Sequence, residues 1–310
     1  MVAGIDLGTT NSAIAVIRDG KAEIIPNADG DRTTPSVVMI DGDDVIVGEE
    51  AKNNITSAPL NVCQFVKRKI GDIGWMFRPK NGRQMTSEEI SARILKKVTE
   101  DAEAACDMKI DDVVITVPAY FDDARRLATK QAGEIAGLNV IGLVNEPTAA
   151  AIGYAYGSNI IDGNVMVYDL GGGTFDVTVL KLSDNMRKAE ILSSAGDRNL
   201  GGFDFDNFII GKFDDEFRNK FGFSIEEDKE ASGDLKEKAE EAKISLSTRD
   251  KTSFSVTSFL KQRNNLRFEI TREEFDLANE VCSRLFEEIL ANKNIFVNMD
   301  KKELIQRWFK

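Results

Sequence analysis

Ile5-Asp6-Leu7-Gly8-Thr9-Thr10-Asn11 recurs, 163 residues further on, as Tyr168-Asp169-Leu170-Gly171-Gly172-Gly173-Thr174. Alternating apolar residues continue after both copies, Ile14 and Val16 after the first, Val177 and Val179 after the second. Each copy reads as a strand, a tight turn of small residues and a second strand. An aspartate that ends a strand, followed at once by Gly-Thr-Thr or Gly-Gly-Gly-Thr, sets a carboxylate beside backbone amides that are free to point at anionic oxygens. Small residues are needed there because a bulky side chain would keep phosphate away from the backbone. Two such turns facing each other would cradle the β- and γ-phosphates of a nucleotide, with Asp6 and Asp169 holding Mg²⁺ largely through water. The spacing is too long for a solenoid. It predicts two similar lobes, each opened by one copy, with a boundary near residues 155–164, where Gly157-Ser158-Asn159 and Asp162-Gly163-Asn164 supply polar breaks.

The intervening chain alternates strands and helices. Asp19-Gly20 predicts a hairpin turn into Ala22 to Ile25, and a second hairpin pivots on Asp41-Gly42. Ser87 to Ala105 carries apolar residues at helical spacing, with Ser87 as the capped start. Val113 to Val117 is a strand stopped by Pro118, Asp122 to Ala136 a helix, and Leu138 to Val144 another strand; this βαβ order predicts a mostly parallel sheet. In the second half a helix is expected from Asp204 to Phe221. A charged helix follows from about Glu226 to Ser247, with Leu235, Ala239, Ala242, Ile244 and Leu246 as its thin apolar side. Strands follow around Ser253–Phe259 and Leu266–Ile270. Thr271-Arg272-Glu273-Glu274 opens a last helix as a capping box, fading near Asn292.

Composition narrows the chemistry. The 310 residues, 42% hydrophobic and 30% charged, suffice for two lobes with buried cores. The net charge of −12 is spread along the chain, which argues against a nucleic-acid surface. Histidine is absent, and with it Ser-His-Asp and Cys-His catalysis and the usual zinc sites. Cys63, Cys106 and Cys282 are far apart, so neither a disulfide framework nor a thiolate metal site is expected, and a reducing cytoplasm fits best. No apolar run approaches ~18–20 residues, so neither a signal peptide nor a membrane span is expected.

Taken together, the motifs resemble those of one family. Ile-Asp-Leu-Gly-Thr-Thr-Asn-Ser at 5–12, Lys-Arg-Lys-Ile-Gly at 67–71, Val-Pro-Ala-Tyr-Phe-Asp-Asp at 117–123 and Asn-Glu-Pro-Thr-Ala-Ala-Ala at 145–151 come first. Tyr-Asp-Leu-Gly-Gly-Gly-Thr-Phe-Asp-Val at 168–177 and Ala-Gly-Asp followed by Leu-Gly-Gly and Asp-Phe-Asp within 195–206 complete the order. The set closely resembles the seventy-kilodalton heat-shock chaperones of the DnaK type, over residues 1 to about 290. The resemblance implies an α/β, two-lobed actin-like ATPase fold with duplicated ribonuclease-H-like lobes. It places a first lobe at 1–160 and a second at 161–292, followed by a divergent tail at 293–310.

The resemblance also implies roles. Gly8, Thr9, Thr10 and Asn11 form the first phosphate turn, and Gly171, Gly172, Gly173 and Thr174 the second. Lys67 matches the catalytic lysine that contacts the γ-phosphate and the attacking water, a charge suited to a loose phosphoryl transition state. Glu146 matches the acid that helps order Mg²⁺ beside Asp6 and Asp169 and couples the lobes through Pro147. Asp176 corresponds to a carboxylate near the nucleophilic water and a K⁺ ion. Gly201 and Gly202 back the phosphates, and Glu240, Lys243 and Ser247 match a helix that grips adenosine. The implied activity is slow hydrolysis of ATP to ADP by in-line attack of water, with Pro118 and Arg126 passing the signal to a peptide-binding domain. The implied partners are J-domain co-chaperones, nucleotide-exchange factors and unfolded clients, the last through a domain not represented in these residues.

The sequence also departs from the family. Between Gly71 and Glu89 it is shorter than the common form, which puts exchange-factor contacts in doubt. Asn199 and Phe203 stand where His and Glu are usual. Beyond about Asn292 the expected second adenosine turn is replaced by Ile295-Phe296-Val297-Asn298-Met299 and a tail ending in Trp308-Phe309-Lys310, so the second lobe is expected to be incomplete, with an exposed sheet edge. A non-hydrolysing interaction protein on the same fold, or a degenerate fragment that has lost turnover, is therefore an alternative. An actin-like filament protein and a sugar kinase fit Lys-Arg-Lys-Ile-Gly and Asn-Glu-Pro-Thr-Ala-Ala-Ala less well.

Overall fold

The computed structural model describes residues 1–158, 162–185, 188–197, 199–260 and 263–276. By compactness the chain divides into two units, Met1–Arg198 and Asn199–Lys310.

The main sheet of the first unit runs in the order Asn139–Asn145, Asp112–Val117, Val2–Asp6, Asn11–Arg18, Lys21–Ile24. Sequence reasoning expects it mostly parallel, and it is mixed. Val2–Asp6 pairs in parallel with Asp112–Val117, and that strand with Asn139–Asn145, because both are reached through long connections. The turns at Leu7–Thr10 and Asp19-Gly20 are too short for a crossover, so Asn11–Arg18 and Lys21–Ile24 run antiparallel. Asp19 and Gly20 both take positive φ, 49° and 75°, the mirror-image turn that matches strand twist.

Two helices cover this sheet. Ser87–Cys106 buries Ile90, Ile94, Leu95 and Val98 against Ile5, Ile14 and Ile115. Its cap is Thr86, one residue before the expected Ser87: Thr86 Oγ1 accepts from Glu89 N and Glu89 Oε2 accepts from Thr86 N. Asp123–Ile135, which Asp122 caps by accepting from Arg125 N, sits so close that a Cβ on Gly133 would overlap Val140. Cys63 lies in a smaller sheet, Asp44–Val47, Val38–Asp41 and Val62–Cys63, and burial pushes its thiol up to about 12, so it stays protonated.

The second copy of the opening pattern builds its own antiparallel sheet, Gly163–Leu170, Phe175–Ser183, Lys188–Asp197. The repeat holds to the residue. Asp6 pairs with Ala13 and Ile5 with Ile14 in the first copy; Asp169 pairs with Asp176 and Tyr168 with Val177 in the second. Helix Glu146–Ser158 follows directly on the Asn139–Asn145 strand and packs Ala151 and Ala155 on Leu180 and Leu182 of this second sheet. That packing keeps both copies in one unit.

The second unit has helices Gly202–Phe221 and Lys229–Leu246, a hairpin of Lys251–Ser258 with Asn264–Thr271, and a short helix Arg272–Asp276. Its core is aromatic: Phe213 stacks on Phe217 and Phe254 and meets Phe268 edge-on. Lys229–Leu246 buries Leu235, Ala239, Ala242 and Leu246, but Ile244, expected on this face, is 62% exposed. It stands two residues from both Ala242 and Leu246, roughly half a turn round the helix. Thr271 and Glu274 form the expected capping box. The expected end of that helix near Asn292, Cys282, and the Trp308-Phe309 tail lie outside the described residues.

Candidate functional site

Both glycine turns lie in the first unit, and they interlock. A Cβ on Gly172 would overlap Thr10 Oγ1, and one on Gly173 would lie 2.5 Å from Thr9 Cγ2. Each threonine of the first turn therefore occupies space that only a glycine of the second leaves open. The first turn is pinned from behind: Ser36 N donates to Thr10 O at 2.8 Å, and Ser12 Oγ meets Ser36 Oγ at 2.9 Å. In the second, Gly171 N donates to Thr174 O at 2.9 Å. A Cβ on Gly8 would overlap Asn11 O, so this glycine is required by the turn itself.

Around the turns gather Lys67 and four carboxylates. Lys67 follows Val66 in a 3₁₀ turn, Val66–Lys69, which Phe65 enters with a left-handed φ of 56°. This turn points the lysine inward, where it is only 7% exposed and bonds Glu146 Oε1 at the first residue of helix Glu146–Ser158. Asp6 ends its strand and accepts from Thr116 Oγ1 at 2.7 Å. Asp176, 3% exposed, faces Asp169 across the second sheet. Gly196 makes room for it: a Cβ there would overlap Phe175 O and lie 2.5 Å from Asp176 Oδ1, which accounts for the Ala-Gly-Asp stretch at 195–197.

The charges strain against one another. Burial pushes the Glu146 carboxyl above its usual range, Lys67 draws it back, and Asp6 and Asp169 push it up again. Asp169 is raised by burial and by Asp6, against Lys67. Asp176 rises to about 7, through burial first and then Glu146 and Asp169. One lysine thus stands against four acids, an excess of negative charge that calls for a cation. Two buried oxygens beside the turns, Thr10 Oγ1 and Asp176 Oδ1, have no hydrogen-bond partner among the described residues. No group of three or more acids or cysteines among those residues converges closely enough to ligate a metal directly. With Asp6, Glu146 and Asp169 as oxygen donors, the cluster has the chemistry of a site for a hydrated divalent cation.

Of the expected residues, the structure brings together Asp6, Gly8, Thr9, Thr10, Lys67, Glu146, Asp169, Gly171, Gly172, Gly173, Thr174 and Asp176 in the first unit. Asn11 borders them, exposed, at the start of its strand. Gly201, Gly202, Glu240, Lys243 and Ser247 belong to the second unit. There Gly201 precedes helix Gly202–Phe221, and Glu240, Lys243 and Ser247 share one face of Lys229–Leu246 and its cap. Lys243 Nζ donates to Gly202 O at 3.2 Å and to Asp206 Oδ2 at 2.9 Å, tying that face to the helix start. Arg126 donates to Phe121 O and, at 2.7 Å, to Asn145 Oδ1, next to Glu146.

Two residues escaped sequence reasoning. Thr116, which holds Asp6, sits three residues into an ordinary apolar strand, Val113 to Val117, and nothing in its surroundings marks it. Arg68 stands in the Lys-Arg-Lys-Ile-Gly motif with no role assigned to it, yet it donates from Nε and Nη2 to Gly173 O at 2.9 and 2.5 Å. Its adjacency to Lys67 was the available signal.

The fold and these turns define an α/β protein of the actin-like ATPase class, and the chain belongs to the Hsp70 family. The family described as Hsp70 protein matches it over residues 2–75 and 74–297. It is similar to the chaperone protein DnaK of Deinococcus radiodurans, 43% identical over 311 aligned positions that cover 93% of this chain and 48% of the relative. The DnaK of Thermotoga neapolitana is 45% identical over 281 positions, covering 89% of this chain and 46% of the relative. The chain spans about half the length of the curated relatives it matches. Among the described residues no helix is long and apolar enough to cross a membrane.

Proposed function

We propose that the chain binds ATP with Mg²⁺ and hydrolyses it slowly, as the nucleotide-binding part of a DnaK-type chaperone. The observation that carries this reading is the buried Lys67–Glu146 pair, set among Asp6, Asp169 and Asp176 beside two interlocked glycine turns. When bound, Mg²⁺ would neutralise phosphate charge. The amides of Gly8–Asn11 and Gly171–Thr174 would hold the phosphates, and Lys67 would meet the charge that develops at the γ-phosphate. Asp176 would take its place near the attacking water and a K⁺ ion. Gly201 and Gly202 would back the phosphates, and Glu240, Lys243 and Ser247 would contact adenosine.

The lobes are proposed as 1–160 and 161–292, with 293–310 as a divergent tail. J-domain co-chaperones, a nucleotide-exchange factor and, through a peptide-binding domain, unfolded clients are the proposed partners, in the cytoplasm.

Calorimetric titration with Mg-ATP, with melting alongside, tests the reading. Saturable binding and a raised Tm, both lost in Asp169→Ala, would support it. No binding by a folded chain would overturn it. Binding without phosphate release would favour the non-hydrolysing interaction protein.

A further inference from the structure

Arg68 contributes something that phosphate chemistry alone does not ask for. Its guanidinium holds Gly173 O with two N–H groups, across 105 positions of sequence. The contact is built in: Gly173 is wedged between Thr9 and the guanidinium, where a Cβ would lie 2.5 Å from Thr9 Cγ2 and 3.0 Å from Arg68 Nε. On the other side the guanidinium stands 5.9 Å from the Phe65 ring centre, and Arg68 N donates to Phe65 O at 3.0 Å. The same 3₁₀ turn therefore sends Lys67 to Glu146 and its neighbour Arg68 to the second glycine turn.

A peptide group is planar and trans, so fixing the carbonyl of Gly173 fixes the N–H of Thr174 in the opposite direction. Gly171 N is already engaged by Thr174 O. Among the described residues no acceptor meets the N–H of Gly172, Gly173 or Thr174. These are the amides left to receive an anion.

We infer that Arg68 is a positioning residue for the phosphate site: by holding Gly173 O it aims the Thr174 amide before the ligand arrives. The inference rests on reading the two turns as a nucleotide-phosphate site. A lysine could not replace it fully, because an ammonium lacks the planar fork that grips one carbonyl through two donors.

The test compares wild type, Arg68→Gln and Arg68→Lys. Mg-ATP, Mg-ADP and adenosine are titrated by calorimetry, and hydrogen exchange of the Gly171 amide is followed without nucleotide. Arg68→Gln should weaken Mg-ATP and Mg-ADP on the order of tenfold, the scale of one lost charge-assisted hydrogen bond. Adenosine affinity should not change, Gly171 protection should fall, and Arg68→Lys should recover part of the loss. If wild type binds Mg-ATP and Arg68→Gln binds it equally well, the inference is overturned while the proposed function stands. An equal loss for adenosine would mean general damage and also overturn it. If wild type binds no Mg-ATP, both fall. Should Arg68→Gln not fold, Arg68→Lys decides by the same split between phosphate ligands and adenosine.

Discussion

In the first glycine turn Asp6 faces Ala13 across the sheet; in the second, Asp169 faces Asp176 in the same register. The first turn contributes threonines, Thr9 and Thr10, where the second has Gly172 and Gly173, and in space these fit into one another. The duplication therefore preserved a backbone and divided its tasks. One copy supplies side-chain bulk and a single exposed carboxylate, the other supplies bare backbone and a pair of carboxylates, Asp176 buried and Asp169 half-buried. Because the charge is concentrated on the second copy, Lys67, which stands outside both, is the counterweight for the whole cluster.

Removing that counterweight should have the largest effect. Lys67→Met leaves Glu146 and its neighbours uncompensated, and breaking a buried pair from one side costs about 3–5 kcal/mol. Urea unfolding of the nucleotide-free chain should register that loss, and phosphate release should stop. Gly172→Ala attacks the interlock next. The added methyl overlaps Thr10, an overpacking penalty of about 1–3 kcal/mol, and the double variant Gly172→Ala, Thr10→Ser should not simply add, because the two positions touch.

The third prediction concerns charge. Asp176 has a folded pKa of about 7, above its unfolded value, so the folded state keeps its proton while the unfolded chain has lost it. That contribution to stability is fully present at pH below about 4 and is lost as pH rises toward about 7. Glu146 and Asp169, raised in the same direction, add to it. Asp176→Asn should therefore flatten the fall in Tm between these limits when no divalent cation is present. An unchanged profile would show that Asp176 ionises freely. The smallest effect is expected from Thr116→Val on the first copy, which removes one hydrogen bond to the exposed Asp6 at a cost of about 1 kcal/mol. Its consequence should appear in the Mg²⁺ dependence of ATP binding more than in Tm.

The strands and turns of both copies were legible because period-two apolar patterning and glycine turns are local signals. The same holds for helices Asp123–Ile135 and Gly202–Phe221, whose boundaries fall within two residues of expectation. The cap of the first long helix was misplaced by one residue, since Thr86 and Ser87 are both good caps and only the Glu89 side chain chooses between them. Strand direction in the main sheet was misjudged because the later βαβ order was extended to the whole sheet, whereas the two hairpins read at its start, through Leu7–Thr10 and Asp19-Gly20, make that side antiparallel. Ile244 was assigned to the buried face on hydrophobicity alone, against its angular position.

By itself the sequence determined that there are two equivalent turns, that each begins with an acid, and that histidine is absent, and it led us to expect neither a disulfide framework nor a thiolate metal site. These are properties of residue identity and of order along the chain. Only the tertiary structure decided that Thr10 fits against Gly172, that Lys67 turns inward to Glu146, and that Arg68 closes on Gly173. Each of those contacts joins residues at least 79 positions apart. No local rule carries such information: it arises from how the helix beginning at Glu146 buries Ala151 and Ala155 on the second sheet and so brings the two copies together.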